Sequence, residues 1–140
     1  MPISYLAAVA CEDQKVNPLF CFLGARLTLV EDGRACITMP AAQCLRQGGG
    51  MIAGGILATL ADEAMAHAVL SALPEDHFTV TAEMNIRYLR AADPSRASLI
   101  KAKASVVKLG RTLCVAEASV IDQNDRQLAV AGGTFFVKAP

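Results

Sequence analysis

Two neighbouring features of this sequence could do chemistry together. Gln47-Gly48-Gly49-Gly50-Met51-Ile52-Ala53-Gly54-Gly55 is rich in glycine, and Asp62 follows shortly after it. Glycine lets backbone approach a ligand closely. The residues from Ile56 to Leu70 are mostly Ala, Leu and Met, which are strong helix formers. A Gly-Gly pair opening that helix leaves backbone N–H groups unpaired at the positive end of the helix dipole. Such an end binds anions and can stabilise a developing oxyanion. Asp62 lies about two turns further along, so a ligand that reaches the helix start could also meet its carboxylate.

At about 100° per residue, Ile56, Leu57, Leu60, Ala61, Ala64, Met65 and Ala68 sweep one broad apolar face. Thr59, Glu63 and His67 lie opposite. Glu63 is expected to face solvent or to pair along the helix, and His67 to be an ordinary polar-face histidine. Asp62 belongs to neither group. Its neighbours on the wheel are Ala58, Met65, Ala66 and Val69. A carboxylate there either points at water, as charged helix residues usually do, or is placed for chemistry.

The order Gln47-x-x-Gly50-x-x-Ala53-Gly54-Gly55, then six residues, then Asp62, resembles a family signature. The family is the hotdog-fold acyl-CoA thioesterases of the phenylacetate-pathway type, within the 4-hydroxybenzoyl-CoA thioesterase superfamily. Its pattern is Asn-x-x-Gly-x-x-His-Gly-Gly, six residues, then Asp. The resemblance continues through Thr79 to Arg90 and covers roughly residues 17–138. Gln47 stands where most members have Asn and keeps an amide there. Ala53 stands where most have His. The resemblance implies dimers formed through sheet edges that often pair into tetramers. It also implies that the glycine and the acid of one working site come from different subunits.

Thioester hydrolysis needs a polarised carbonyl, an activated attacker and a leaving thiol. By resemblance, the Gly54 N–H is the oxyanion donor, with Gly55 and Ala53 at substrate-contacting positions. Asp62 is the general base or the nucleophile. Gln47 orients the water or the carbonyl, or only caps its own loop. Thr81 matches a Ser/Thr of some members and holds the attacking water, or is an ordinary strand residue. CoA carries phosphates, for which Lys108, Gly110 and Arg111 at a turn are candidates, with Arg87 and Arg90. The implied activity is hydrolysis of a small aryl- or medium-chain acyl-CoA, with no cofactor beyond the CoA of the substrate. The alternative is a non-catalytic acyl-CoA-binding hotdog protein, which the missing His favours. A hotdog dehydratase or hydratase ranks last, because it needs a His acting with an acid.

Length and composition fit this picture. The 140 residues suit one domain, with residues 1–16 as an N-terminal helix or arm, and 54% are hydrophobic, enough for a real core. Thirteen basic and thirteen acidic residues cancel, without a basic stripe, so nucleic acid is not an expected partner. The longest uncharged run, Gln47 to Ala61, is too short and glycine-rich to span a bilayer. Cys11, Cys21, Cys36, Cys44 and Cys114 form no C-x-x-C pair, and the start resembles no signal peptide. We read them as reduced thiols of a cytoplasmic protein. No His/Cys/carboxylate cluster has metal-ligand spacing.

The elements that must position these residues read as α+β, with an antiparallel sheet of five to six strands wrapped around one long helix. Leu19 to Leu23 is a lid or core plug, or else lines an acyl pocket. Ala25 to Val30 and Arg34 to Met39 form a hairpin about Asp32-Gly33. The long helix runs from Gly54 to about Leu70. Four strands follow, Phe78–Arg90, Ala97–Lys108, Thr112–Asp122 and Arg126–Lys138, read as consecutive hairpins. Strict alternation in the first of these puts Val80, Ala82, Met84, Ile86 and Tyr88 on one face. It puts Thr79, Thr81, Glu83, Asn85 and Arg87 on the other.

Overall fold

Asp32 and Gly33 have positive φ, 47° and 78°, which is the backbone of a tight hairpin that Asp-Gly favours. That turn opens the sheet. In the computed structural model, which describes residues 4–140, the chain begins with α1 (Tyr5–Val9) and α2 (Pro18–Leu23). The hairpin strands β1 (Arg26–Glu31) and β2 (Arg34–Pro40) follow, then a 3-10 turn at Gln43–Leu45. The long helix is α3 (Gly54–Ser71). It is followed by β3 (Phe78–Tyr88), β4 (Leu99–Leu109), β5 (Leu113–Asp122) and β6 (Gln127–Lys138). Of the expected N-terminal arm, Met1 to Ile3 lie outside the described residues.

The sheet wraps α3 because its inner face is built from small side chains. Ala102 and Ala104 on β4, Ala116 and Ala118 on β5, and Ala129 on β6 are buried beneath Leu57, Leu60, Ala64, Met65 and Ala68 of the helix. Small residues let the helix lie close, and each large helix side chain buried there contributes about 1.5–3 kcal/mol. At Gly133 an added Cβ would stand 3.3 Å from Met65 Cε, so β6 and α3 touch without a spacer. Six antiparallel strands around one long helix are the hotdog arrangement that the resemblance implies.

The strand order corrects one expectation. It is β1-β2-β4-β5-β6-β3, so β3 does not form a hairpin with β4. It pairs with β6 and ends the sheet. The connection from Leu89 to Ser98 crosses beneath the start of α3, where the Ile52 N–H donates to the Ala92 carbonyl at 2.9 Å and the Leu89 N–H to the Leu128 carbonyl at 2.8 Å. Hydrogen bonding to the crossing chain takes the place of a two-strand turn. The outcome is a free edge of 11 residues along β3.

The faces of β3 are also corrected. Its register against β6 slips between Thr81 and Glu83, leaving Ala82 as a bulge. The bulge reverses the alternation, so Thr79 and Thr81 share the helix-facing side with Met84, Ile86 and Tyr88. Glu83, Asn85 and Arg87 point outward together with Val80, and so part from Thr79 and Thr81, whose face they are expected to share.

The polar side of α3 is covered as well, so His67, expected as an ordinary polar-face histidine, lies in the core. His67 is 2% exposed. Its ring stacks on Tyr5 at 5.7 Å and meets Phe20 at 5.2 Å between centroids. The Glu63 carbonyl can only accept, so His67 Nδ1 donates to it at 2.7 Å. The neutral Nε2 then accepts from the Tyr5 hydroxyl at 3.0 Å, and that hydroxyl accepts from Asn17 Nδ2 at 3.1 Å. Thus α1 and the start of α2 are tied to the middle of α3, and Phe20 and Leu23 act as the expected core plug while Phe22 stays exposed.

Burial holds the His67 imidazole below its ordinary range. The unfolded chain, titrating near 6.5, therefore binds more protons in acid, and stability falls as pH drops below about 6.5. Glu63 has the opposite sign. Burial, with the charge of Asp62 adding to it, pushes its carboxyl up, so its contribution is lost as pH rises. We expect the melting temperature to fall from about pH 7.5 to about pH 5.5, and the fall to be smaller by roughly 2–4 °C in His67→Phe, which keeps a ring but carries no proton. Equal falls in the two proteins would contradict this role for His67.

Candidate active site

The start of α3 is built to leave amides open. Ala53 is the N-cap, in extended conformation (φ −60°, ψ 137°), and has no side chain to bond the first turn. Its own N–H donates to the Leu45 carbonyl at 3.0 Å, and its carbonyl accepts from Ile56 and Leu57 at 3.0 and 3.3 Å. Among the described residues, neither the Gly54 nor the Gly55 N–H has an acceptor. A Ser or Asp at position 53 would offer its side-chain oxygen to this turn. With Ala there, the amides remain at the positive end of an 18-residue helix. A Cβ at position 55 would meet nothing within 4 Å, so that side of the tip is open.

Gln47 is near but partly engaged. Its Oε1 accepts from the Gly49 N–H. The loop is closed by Gln47 N–H to Met51 at 2.7 Å and Gly50 N–H to Gln47 at 3.0 Å. Gly50 has φ +91°, which glycine tolerates. Gln47 thus caps its own loop, one of the two roles expected. Its Nε2 makes no hydrogen bond among the described residues and remains a free donor. Gln47, Gly54, Leu57, Tyr88 and Arg90 line a cleft of about 340 Å³ at the helix tip.

Asp62 sits half-buried between α3 and the free edge strand. The Thr81 hydroxyl donates to its Oδ1 at 2.7 Å. The bulge at Ala82 makes this possible, since it turns Thr81 toward the helix. Oδ2 has no partner among the described residues, so one oxygen is held and the other is free to accept a proton. The tip cleft does not reach Asp62. Asp62 is eight positions on from Gly54, which at 1.5 Å per residue is about 12 Å along the helix axis. One thioester carbonyl cannot contact both groups of a single chain.

The other candidates are spread over the fold. Gly55 and Ala53 belong to the helix tip. Arg87 lies on the outer face of β3, beside an outer cavity shared with Asn85 and Glu117. Lys108, Gly110 and Arg111 lie at the turn between β4 and β5, where Leu113 pairs with Phe136 and Phe78 with Lys138. Gly54 lies at the opposite end, by Tyr88, which pairs with Ala129. The structure therefore does not bring Lys108, Gly110 and Arg111 to the helix tip of their own chain. His77 pairs with Asp76 at an exposed turn, 2.8 Å away.

Sequence reasoning missed Arg96 and Arg126. With Arg90 they line a cavity of about 330 Å³ that adjoins the tip cleft through Met51, Arg90 and Ala91. Arg126 Nε is bound to the buried Asp122 at 2.9 Å, whose carboxyl is held low despite burial by Arg126 and the turn amides. These arginines come from separate turns, and no spacing in the sequence announces them. The strand alternation places Tyr88 only on a face with Met84 and Ile86, yet its hydroxyl donates to the Gly54 carbonyl at 2.6 Å.

Comparison with known proteins follows the same lines. The model of the Thioesterase superfamily matches residues 49–129. A provisionally named esterase of Halobacterium salinarum is 39% identical over 130 residues, covering 85% of this chain and 83% of its own length. The 1,4-dihydroxy-2-naphthoyl-CoA hydrolase of Listeria monocytogenes is 24% identical over 116 residues, covering 83% of this chain and 92% of its own. A Bacillus halodurans protein crystallised with CoA superposes with a TM-score of 0.78 at 30% identity, covering 89% of this chain and 78% of its own. With the glycine tip and Asp62 both inside or beside the matched segment, this chain belongs to the thioesterase superfamily.

Proposed function

We propose that the protein is an acyl-CoA thioesterase of the phenylacetate-pathway type, hydrolysing a small aryl- or medium-chain acyl-CoA. The observation that carries this reading is Asp62, held by Thr81 at one oxygen and free at the other, on the same helix as an uncapped glycine tip. The Listeria relative's action on a CoA thioester and the CoA in the Bacillus structure support it.

The 12 Å spacing along α3 leads us to a homodimer. β3 is a long free edge, which a second copy covers by antiparallel pairing about a two-fold axis. Antiparallel pairing reverses the ends. The Tyr88 end of one copy, with its Gly54, then meets the Thr81 end of the other, with its Asp62. The turn of Lys108, Gly110 and Arg111 from the second copy approaches the same end and faces the phosphates of CoA together with Arg90. Pairing of two dimers into a tetramer follows the family habit.

In one route, Asp62 takes a proton from water as the oxygen attacks the thioester carbon. The carbonyl oxygen becomes an oxyanion, met by the Gly54 N–H and the Gln47 amide. The C–S bond then breaks, and the CoA thiolate leaves with the proton from Asp62. In the other route, the Asp62 carboxylate attacks directly, CoA leaves as thiolate, and water hydrolyses the mixed anhydride. Ala53 supports a second reading, acyl-CoA binding without hydrolysis, because it offers no side chain where the family pattern has His. Neither His67 nor His77 reaches the tip or Asp62, so nothing here favours a dehydratase.

Purified protein assayed against a panel of acyl-CoAs with a thiol reagent separates these readings. The background from exposed Cys11, Cys21 and Cys44 is subtracted. We expect turnover with aryl- or medium-chain substrates and a loss of at least ~100-fold in Asp62→Asn. Binding of CoA esters without turnover would favour the second reading, and an Asp62→Asn protein as fast as wild type would remove Asp62 from the mechanism. Thr81→Val should lower kcat by about 10-fold while Thr81→Ser stays close to wild type. Identical rates in Thr81→Val and wild type would make Thr81 an ordinary strand residue.

A further inference from the structure

We infer that Tyr88 is a positioning residue, whose hydroxyl fixes the Gly54–Gly55 peptide and so aims the amides of the helix tip. The inference rests on the thioesterase reading above and adds a part to its machinery. The Tyr88 hydroxyl donates to the Gly54 carbonyl at 2.6 Å. Its ring fills the space beside Gly54. A Cβ at position 54 would stand 3.2 Å from Tyr88 Cζ and 3.3 Å from its oxygen, whereas a Cβ at position 55 would meet nothing. Tyr88 therefore packs against Gly54 as a wall of the tip cleft, and the Gly55 side of the tip is left open.

Two successive glycines give close approach, but they are also the most conformationally free residues of the chain. No side chain caps this helix start, because the N-cap is Ala53. Oxyanion stabilisation depends on donors that are already aimed, and a small misplacement costs much of the rate. The carbonyl of Gly54 and the N–H of Gly55 are the two ends of one peptide plane. A hydrogen bond to that carbonyl restrains the plane at the point where glycine would let it swing. It also polarises that peptide, which makes the Gly55 N–H, next to the Gly54 donor, a stronger donor to the same oxyanion. Tyr88 is 48% exposed in the single chain, so core packing does not account for its placement. It is the last residue of β3, and through it the helix tip is tied to the sheet.

The test is steady-state kinetics of Tyr88→Phe, which keeps the ring and removes the hydroxyl, beside wild type and Asp62→Asn on the best acyl-CoA of the panel. We expect kcat to fall about 10-fold with KM within about 2-fold of wild type, an unchanged pH profile, and an unchanged melting temperature. A kcat within about 2-fold of wild type would overturn the inference. So would a raised KM at constant kcat, which would make Tyr88 a substrate contact instead. If Asp62→Asn is inactive while Tyr88→Phe matches wild type, the positioning role alone fails. If wild type hydrolyses none of the panel, the thioesterase reading fails and this inference with it.

Discussion

A rigid helix cannot fold its own first amide back onto a side chain two turns away. Gly54 and Asp62 ride on the same 18-residue helix, about 12 Å apart along its axis. Much of the rest of the structure can be understood from that spacing. The tip presents unpaired amides at one end of the sheet. The acid presents a half-engaged carboxylate toward the free edge. In the arrangement we propose, the unpaired edge of β3 is where these halves meet, because two-fold antiparallel pairing places unlike ends together.

The sheet serves that helix in a specific way. Rows of alanine on β4, β5 and β6 let α3 lie close to the sheet, and α1 and α2 close its polar side through Tyr5, Asn17 and Phe20. With both sides covered, α3 has little freedom to rotate. Asp62 therefore keeps its bearing toward Thr81, and the glycine tip keeps its bearing toward Tyr88. The two hydrogen bonds from β3 to α3, one from each end of the strand, couple edge and helix where the proposed chemistry needs precision.

Much of this was legible in the sequence because the determinants are local. Asp32-Gly33 specifies its turn by backbone preference, the Ala- and Leu-rich run specifies α3, and the spacing from Gln47 to Asp62 carries the family signature. What was not legible depends on distant partners. The bulge at Ala82 comes from the register of β3 against β6, and no residue within β3 announces it. The crossing of the chain after β3 depends on amides of the residue 52 and residue 128 regions. The wheel places His67 on the polar face of α3 but does not show the N-terminal helices that pack over that face and bury it. Arg90, Arg96 and Arg126 meet only after the turns that carry them have been brought together. The positive charges at Lys108 and Arg111 were visible, but their distance from their own helix tip follows from strand direction alone.

Mixing two defective chains tests the central claim most directly. Gly54→Pro removes the donor N–H at the first helical position, where Ala53 before it already has the extended backbone that proline requires. The proline Cβ displaces the Tyr88 ring of the same copy, so that copy's half of the site is lost while its Asp62 half is kept. Asp62→Asn removes the acid. Each variant is prepared alone, and the two are also co-expressed and purified as a mixture. If one working site takes its amide from one copy and its acid from the other, mixed dimers contain one intact site, and random assortment returns about a quarter of the wild-type rate. A mixture no faster than the separate variants would contradict the shared site.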